Sequence, residues 1–134
     1  MTTLKTERLD IRSSDDVVRV RQLTRTVALA AGLSLVDQTK IITAASELAR
    51  NTLDYGGGGI VLAELIEAPG RRGVMLTFED KGPGIADIDA ALKDGFTTGK
   101  GMGLGLGGAR RLSNEFSIHS KPGEGTKVVI ARWK

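Results

Sequence analysis

Glu47 and Asn51 are the first residues in this sequence whose types and spacing could do chemistry. Four apart in the stretch KIITAASELARNTLDYG, they stack on one face of a predicted helix. At about 100° per residue, Ile41, Ala45, Leu48 and Thr52 fill one narrow arc of that helix, and Ile42, Ala49 and Leu53 widen it on one side. Glu47 and Asn51 lie on the other flank. A carboxylate and a carboxamide at the border of a buried stripe can reach into a cleft while the helix stays packed. Taken alone, E-x-x-x-N is more often a solvated helix edge.

A second cluster is Phe78-Glu79-Asp80-Lys81-Gly82-Pro83-Gly84-Ile85. An acid at the end of an apolar strand, followed by Gly-Pro-Gly, places one carboxylate at a sheet edge beside backbone that another group can approach closely. By itself D-x-G-x-G is usually an ordinary strand-to-helix turn. The third cluster runs from Gly99 to Gly108, with Gly101, Gly103 and Gly105 alternating into a helix. Such an entry exposes the first helical amides, which hold anionic phosphates without many side-chain charges. Two better-known phosphate motifs fail here. Gly103 to Gly108 spells G-x-G-x-x-G, but no strand leads directly into it. Gly95 to Lys100 is one residue too short for a P-loop, and Gly101 stands where Ser or Thr should follow the lysine.

The elements that must position these residues are legible from hydrophobic period and punctuation. Thr6 to Arg12 reads as a first strand. Ser14 or Asp15 is expected to cap a helix carrying Val17, Val20, Leu23 and Val27, stopped by Gly32. Ser34 with Asp37 forms a variant capping box for a second helix that runs to about Asp54 and ends at the run Gly56 to Gly59. Ile60 to Ile66 and Val74 to Phe78 make a hairpin across Ala68 to Arg72. A short helical piece around Ile88 to Leu92, a helix from about Leu104 to Asn114, and a hairpin of Phe116 to His119 with Thr126 to Ala131 complete the chain. Helices grouped around sequential hairpins predict an α+β fold: a two-layer sandwich with a mixed, mainly antiparallel sheet and helices on one face.

Composition narrows the function. The 134 residues suit a single domain spanning 1–134, able to bury roughly two-thirds of its unfolded surface. Nine of the 18 glycines fall between Gly82 and Gly108, so the excess belongs to one segment and is not low complexity. With no cysteine and one histidine, thiolate zinc sites, cysteine nucleophiles and histidine metal clusters are excluded. No apolar run approaches a membrane span and the start lacks a signal peptide's core, so a cytoplasmic protein without membrane contact is expected. The net charge is +3, but the Lys and Arg residues are dispersed and aromatics are only 4%, which argues against nucleic acid. His119 is expected to be structural and Tyr55 and Trp133 to be packing residues; of Arg110-Arg111, one could serve a helix face near phosphates, but solvated charge is the commoner outcome for such a pair.

In the order E-x-x-x-N, D-x-G-x-G, G-x-G-x-G and Gly125-Thr126, the sequence resembles the GHKL or Bergerat-type ATPases. End to end it is similar to the small bacterial serine-protein kinases of the RsbT type, the switch kinases of the stressosome. The closest stretches are SELARN, EDKGPGI, DGFTTGKGMGLGLGGARRL and EFSIHSKPGEGTKV. The resemblance implies ATP and Mg2+ as cofactors. It implies Glu47 as the catalytic base and Asn51 as the magnesium ligand. It implies Asp80 as acceptor for the adenine amino group, Gly82 and Gly84 beside the base, and Thr126 in the same polar network. Thr98 and Lys100 would belong to a lid, and Gly101, Gly103, Leu104 and Gly105 to the phosphate loop. The implied partners are STAS-domain antagonist and scaffold proteins as substrates and a PP2C-type phosphatase activated on release. An anti-sigma factor kinase shares every motif and is the main alternative; an interaction module with a merely structural nucleotide is a second. Histidine kinases usually carry a lysine three positions after the metal-binding asparagine, where this chain has Asp54, and no phosphoacceptor-histidine helix is read upstream.

Overall fold

The computed structural model describes residues 1–92 and 105–134. Strand β1 (Thr2–Ile11) leads into helices α1 (Ser14–Ala30) and α2 (Leu35–Asp54). A hairpin of β2 (Gly59–Ala68) and β3 (Arg71–Asp80) follows, then one turn of helix, α3 (Ile88–Ala91). Helix α4 (Leu106–Arg111) and a second hairpin, β4 (Glu115–Ser120) and β5 (Thr126–Trp133), end the chain. The five strands form one sheet in the order β1-β2-β3-β5-β4. The expected two-layer α+β fold, with a mainly antiparallel sheet and helices on one face, is present; the expected mixed character is not, since all four described ladders are antiparallel. β4 does run parallel to β3, yet β5 is inserted between them, so no parallel pair forms among the described residues.

One face of the sheet presents Val61, Ala63, Val74, Leu76, Phe78, Val128 and Ile130 to the helices. Helix α2 meets it with fully buried Ile41, Ala44, Ala45 and Ala49, and the alanines let α1 and the sheet approach closely. The helix stays pinned at its start by Ser34, whose Oγ accepts the Asp37 N–H at 3.1 Å. The expected capping box is only half made, because the Asp37 carboxylate turns instead to Arg132 at 2.9 Å. For α1 the cap is Ser13, not Ser14 or Asp15. The reason is spacing: Asp16 lies three residues on, and its Oδ2 accepts the Ser13 N–H at 3.1 Å and the Arg12 N–H at 2.8 Å. These donors, Arg12 first, hold the Asp16 carboxyl below the usual aspartate range.

Helix α4 is shorter than the predicted Leu104 to Asn114. Asn114 is drawn to the sheet, its N–H donating to the Ala131 carbonyl at 2.8 Å and its Oδ1 accepting the Trp133 N–H at 2.7 Å. On the face away from the helices a smaller cluster of Ile66, Ala131 and Trp133 is buried, with Arg71 stacked 4.4 Å from the Trp133 ring. Among the described residues no helix is long and apolar enough to cross a membrane.

Candidate functional site

Gly59, Asp80 and Thr126 stand side by side across three strands, at the start of β2, the end of β3 and the start of β5. Above this row, α2 supplies Leu48, Asn51, Thr52 and Tyr55. With Phe78, Ile85, Leu106 and Val128 these residues line one recess between helix and sheet, and Asp80 and Thr126 are its polar floor. Three of the residues singled out from sequence, Asn51, Asp80 and Thr126, therefore meet in one cavity although 75 positions separate the first from the last.

Asp80 is half-buried, and burial pushes its carboxyl above the ordinary aspartate range. Two backbone donors oppose that shift: the Gly82 N–H, 2.9 Å from Oδ1, and the Thr126 N–H. Room for the carboxylate comes from glycines. A Cβ on Gly56 would lie 2.6 Å from Asp80 Oδ2, and one on Gly82 would lie 2.7 Å from the Gly56 Cα. Gly56 was read from sequence only as a helix terminator. Its role beside Asp80 had no local signal, because it arises where the end of α2 passes over the end of β3.

Gly84 has φ 75° and sits with its Cα against the Lys121 carbonyl, docking the 82–85 loop onto the β4–β5 turn. Two hydrogen bonds fix that loop further. The Tyr55 hydroxyl donates to the Gly84 carbonyl at 2.9 Å, and the Ile85 N–H donates to Ser120 Oγ at 2.8 Å. Ser120 in turn donates to the Gly125 carbonyl at 3.0 Å and lies 2.8 Å from Thr126 Oγ1. Tyr55 is thus a packing residue with a polar task. Ser120, buried, escaped the sequence reading; only strand alternation opposite Thr126 could have flagged it. Replacement of Ser120 by Ala leaves the buried Ile85 N–H without its acceptor. The expected result is a loss of about 1–3 kcal/mol of stability, read from the urea unfolding midpoint.

Glu47 is exposed, one turn before Asn51 at the rim of the recess. Gly105 takes a left-handed conformation, φ 65°, as the residue that caps the start of α4. Its Cα lies along the Glu47 side chain: a Cβ there would collide with Oε2 and come within 3.2 Å of the Glu47 Cβ. The structure so brings the end of the glycine-rich segment to the E-x-x-x-N pair. Thr98, Lys100, Gly101, Gly103 and Leu104 lie outside the described residues. His119 is exposed on β4 opposite Lys127, and Arg110 and Arg111 are exposed on α4. Asp54 forms a long ion pair with Arg50, at 3.9 Å. Gly108 is not required by close packing: a Cβ there would meet only the Arg111 guanidinium, at 4.0 Å, among the described residues.

The chain is similar to known proteins in sequence and in fold. Residues 36–134 match the family described as histidine kinase-, DNA gyrase B-, and HSP90-like ATPase. The serine/threonine-protein kinase RsbT of Bacillus subtilis is 47% identical over 118 residues, covering 88% of this chain and 89% of that protein. The anti-sigma F factor of Anoxybacillus flavithermus is 30% identical over 107 residues, covering 74% and 71% respectively. Among solved structures, that of the RsbU and RsbW domains of Rv1364c from Mycobacterium tuberculosis superposes with a TM-score of 0.66 at 18% identity. The match covers 96% of this chain and about a third of that one, and it speaks for the fold alone. The chain belongs to the histidine kinase-, DNA gyrase B- and HSP90-like ATPase family, in the branch of the RsbT-type serine/threonine-protein kinases, enzymes that work with ATP and magnesium.

Proposed function

We propose that this kinase phosphorylates hydroxyls on STAS-domain antagonist or scaffold proteins in a stress-signalling, partner-switching pathway, and on release activates a PP2C-type phosphatase. The observation that carries the site assignment is the convergence of Asn51, Asp80 and Thr126 in one recess, with Glu47 at its rim. The chemistry of the recess is that of an adenine site: Leu48, Phe78, Ile85, Leu106 and Val128 give apolar walls, and Asp80 offers an acceptor to an exocyclic amino group. No group of three or more His, Cys, Asp or Glu residues that could hold a metal occurs among the described residues. Asn51 lines the recess with Asp80, and its side-chain oxygen would hold magnesium together with phosphate oxygens and water, where the ion would neutralise phosphate charge.

In this reading Asp80 and Thr126 orient the base, and Gly82 and Gly56 keep the backbone close enough for it to seat. Glu47 accepts the proton of the serine or threonine hydroxyl as its oxygen bonds to the terminal phosphorus and the bond to the departing ADP oxygen breaks. Gly101, Gly103 and Gly105 offer amides to the phosphates, and Thr98 and Lys100 approach from the lid.

The 30% identity to an anti-sigma factor supports a second reading, in which the protein sequesters a sigma subunit and phosphorylates its antagonist. Analytical gel filtration with candidate partners separates the two. The proposal expects a complex with the unphosphorylated STAS protein that dissolves on its phosphorylation, and stimulation of the phosphatase by the freed kinase. A stable complex with a sigma factor, and no effect on the phosphatase, would favour the second reading.

A further inference from the structure

Helix α4 carries two groups of the site: Gly105 against Glu47, and Leu106 in the wall of the recess. Yet its intrinsic helix propensity is poor. It has six residues, and Gly107-Gly108 in its interior each cost roughly 1 kcal/mol of helix propensity relative to alanine. Leu106 and Ala109 bury one side of it in the core, and a polar anchor holds its far end. Arg132 donates from Nη1 to the carbonyl of Leu112, the C-cap of α4, at 2.9 Å. The same guanidinium donates from Nη2 at 2.9 Å and Nε at 3.3 Å to Asp37 Oδ1, in the first turn of α2. Both helix ends are electrostatically suited to it, a cation at the carbonyl end of α4 and a carboxylate at the amide end of α2. The side chains are only 14% and 28% exposed, so solvent does little to loosen the pair.

Arg132 therefore joins the start of α2 to the end of α4. About 15 Å along α2 and about 10 Å along α4, at 1.5 Å per residue, the two helices touch again where Glu47 meets Gly105. We propose that Arg132 is a positioning residue for phosphoryl transfer: by clipping α4 to Asp37 it holds Gly105 against Glu47 and so sets the direction of the Glu47 carboxylate. The inference rests on Glu47 being the base. The polar floor of the recess, Asp80 and Thr126, is on the sheet and does not depend on this clip.

The test is Arg132→Met in the full chain, with ATP affinity and the transfer rate at saturating ATP measured separately, in wild-type and Glu47→Gln backgrounds. We expect the rate to fall between about tenfold and a hundredfold, as small misplacements of catalytic groups do. ATP affinity should fall by a smaller factor than the rate, because Leu106 and Gly105 shift with α4 while Asp80 and Thr126 stay on the sheet, and the substitution should cost little further rate once Glu47 is already lost. Arg132→Lys, which cannot span both acceptors with a planar fork, should restore only part of the rate. An unchanged rate in the folded variant, or an equal loss in both backgrounds, overturns the proposal. Should Arg132→Met not fold, Asp37→Ala opens the same clip from its less buried partner and is judged by the same readouts. If Glu47→Gln alone retains full transfer, the Glu47 assignment falls; if it abolishes transfer and Arg132→Met does not slow it, only the positioning role falls.

Discussion

Glu47→Gln is expected to bind ATP within about threefold of wild type and to lose transfer by a factor of roughly 10² to 10⁴, the usual contribution of a positioned general base. The two effects separate because of where Glu47 sits. It is exposed at the rim of the recess and lines none of it, whereas the residues that line it are Asn51, Asp80, Thr126 and their apolar neighbours. Exposed substitutions of this kind usually alter stability by no more than about 0.5 kcal/mol. Glutamine keeps the length of the side chain, so the contact with Gly105 survives and only the proton acceptor is removed. Glu47→Ala should give the same kinetic result. Titration with a fluorescent ATP analogue, alongside single-turnover transfer, distinguishes the outcomes; a loss of binding would make Glu47 a structural residue.

Asp80→Asn is the complementary prediction, with binding lost and stability kept. Asp80 accepts from the backbone of Gly82 and Thr126 and, in the proposed complex, from the adenine amino group. Asparagine can keep the backbone donors on its oxygen only by turning its own NH2 toward the adenine donor. The cost of a lost hydrogen bond to a charged group, about 1.5–3 kcal/mol, corresponds to roughly a tenfold to hundredfold weaker affinity for ATP. Stability should move the other way. Burial raises the Asp80 carboxyl above its unfolded value of 3.8, so the folded state holds the proton more tightly than the unfolded chain. A raised group favours folding below its unfolded value, and that contribution is lost as pH rises through the folded one. At neutral pH the ionised carboxylate is therefore a cost to the free protein, and the asparagine variant should melt no lower than wild type. Wild-type ATP affinity should weaken as pH falls through the raised Asp80 value, above the range where free aspartate titrates. In Asp80→Asn that dependence should flatten.

Two of the candidate motifs were legible in the sequence for different reasons. Glu47 and Asn51 were placed by helical period alone, because Ile41, Ala45 and Leu48 leave no doubt which way α2 faces. Asp80 was placed by strand-end punctuation, and β3 ends on that residue. Contacts between segments distant in sequence were not legible. Gly56 looks like any helix terminator until α2 is laid over β3, and Ser120 looks like a polar strand residue until the 82–85 loop brings the Ile85 N–H to it. Asp37 shows the same limit in reverse. Its spacing from Ser34 announces a local capping box, yet a guanidinium 95 residues away takes its carboxylate. Local hydrogen-bonding potential states what a side chain can do, and the fold decides which partner arrives.

The central claim is that this chain transfers phosphate from ATP to a serine or threonine of a STAS-domain protein, with Glu47 as base. Its most direct measurement is mass-spectrometric location of the phosphate after incubation of both proteins with ATP and magnesium. The account predicts a single modified serine or threonine on the STAS protein, present with wild-type kinase and absent with Glu47→Gln. Phosphate on a histidine, or a fully nucleotide-loaded wild-type protein that leaves its partner unmodified, would contradict it.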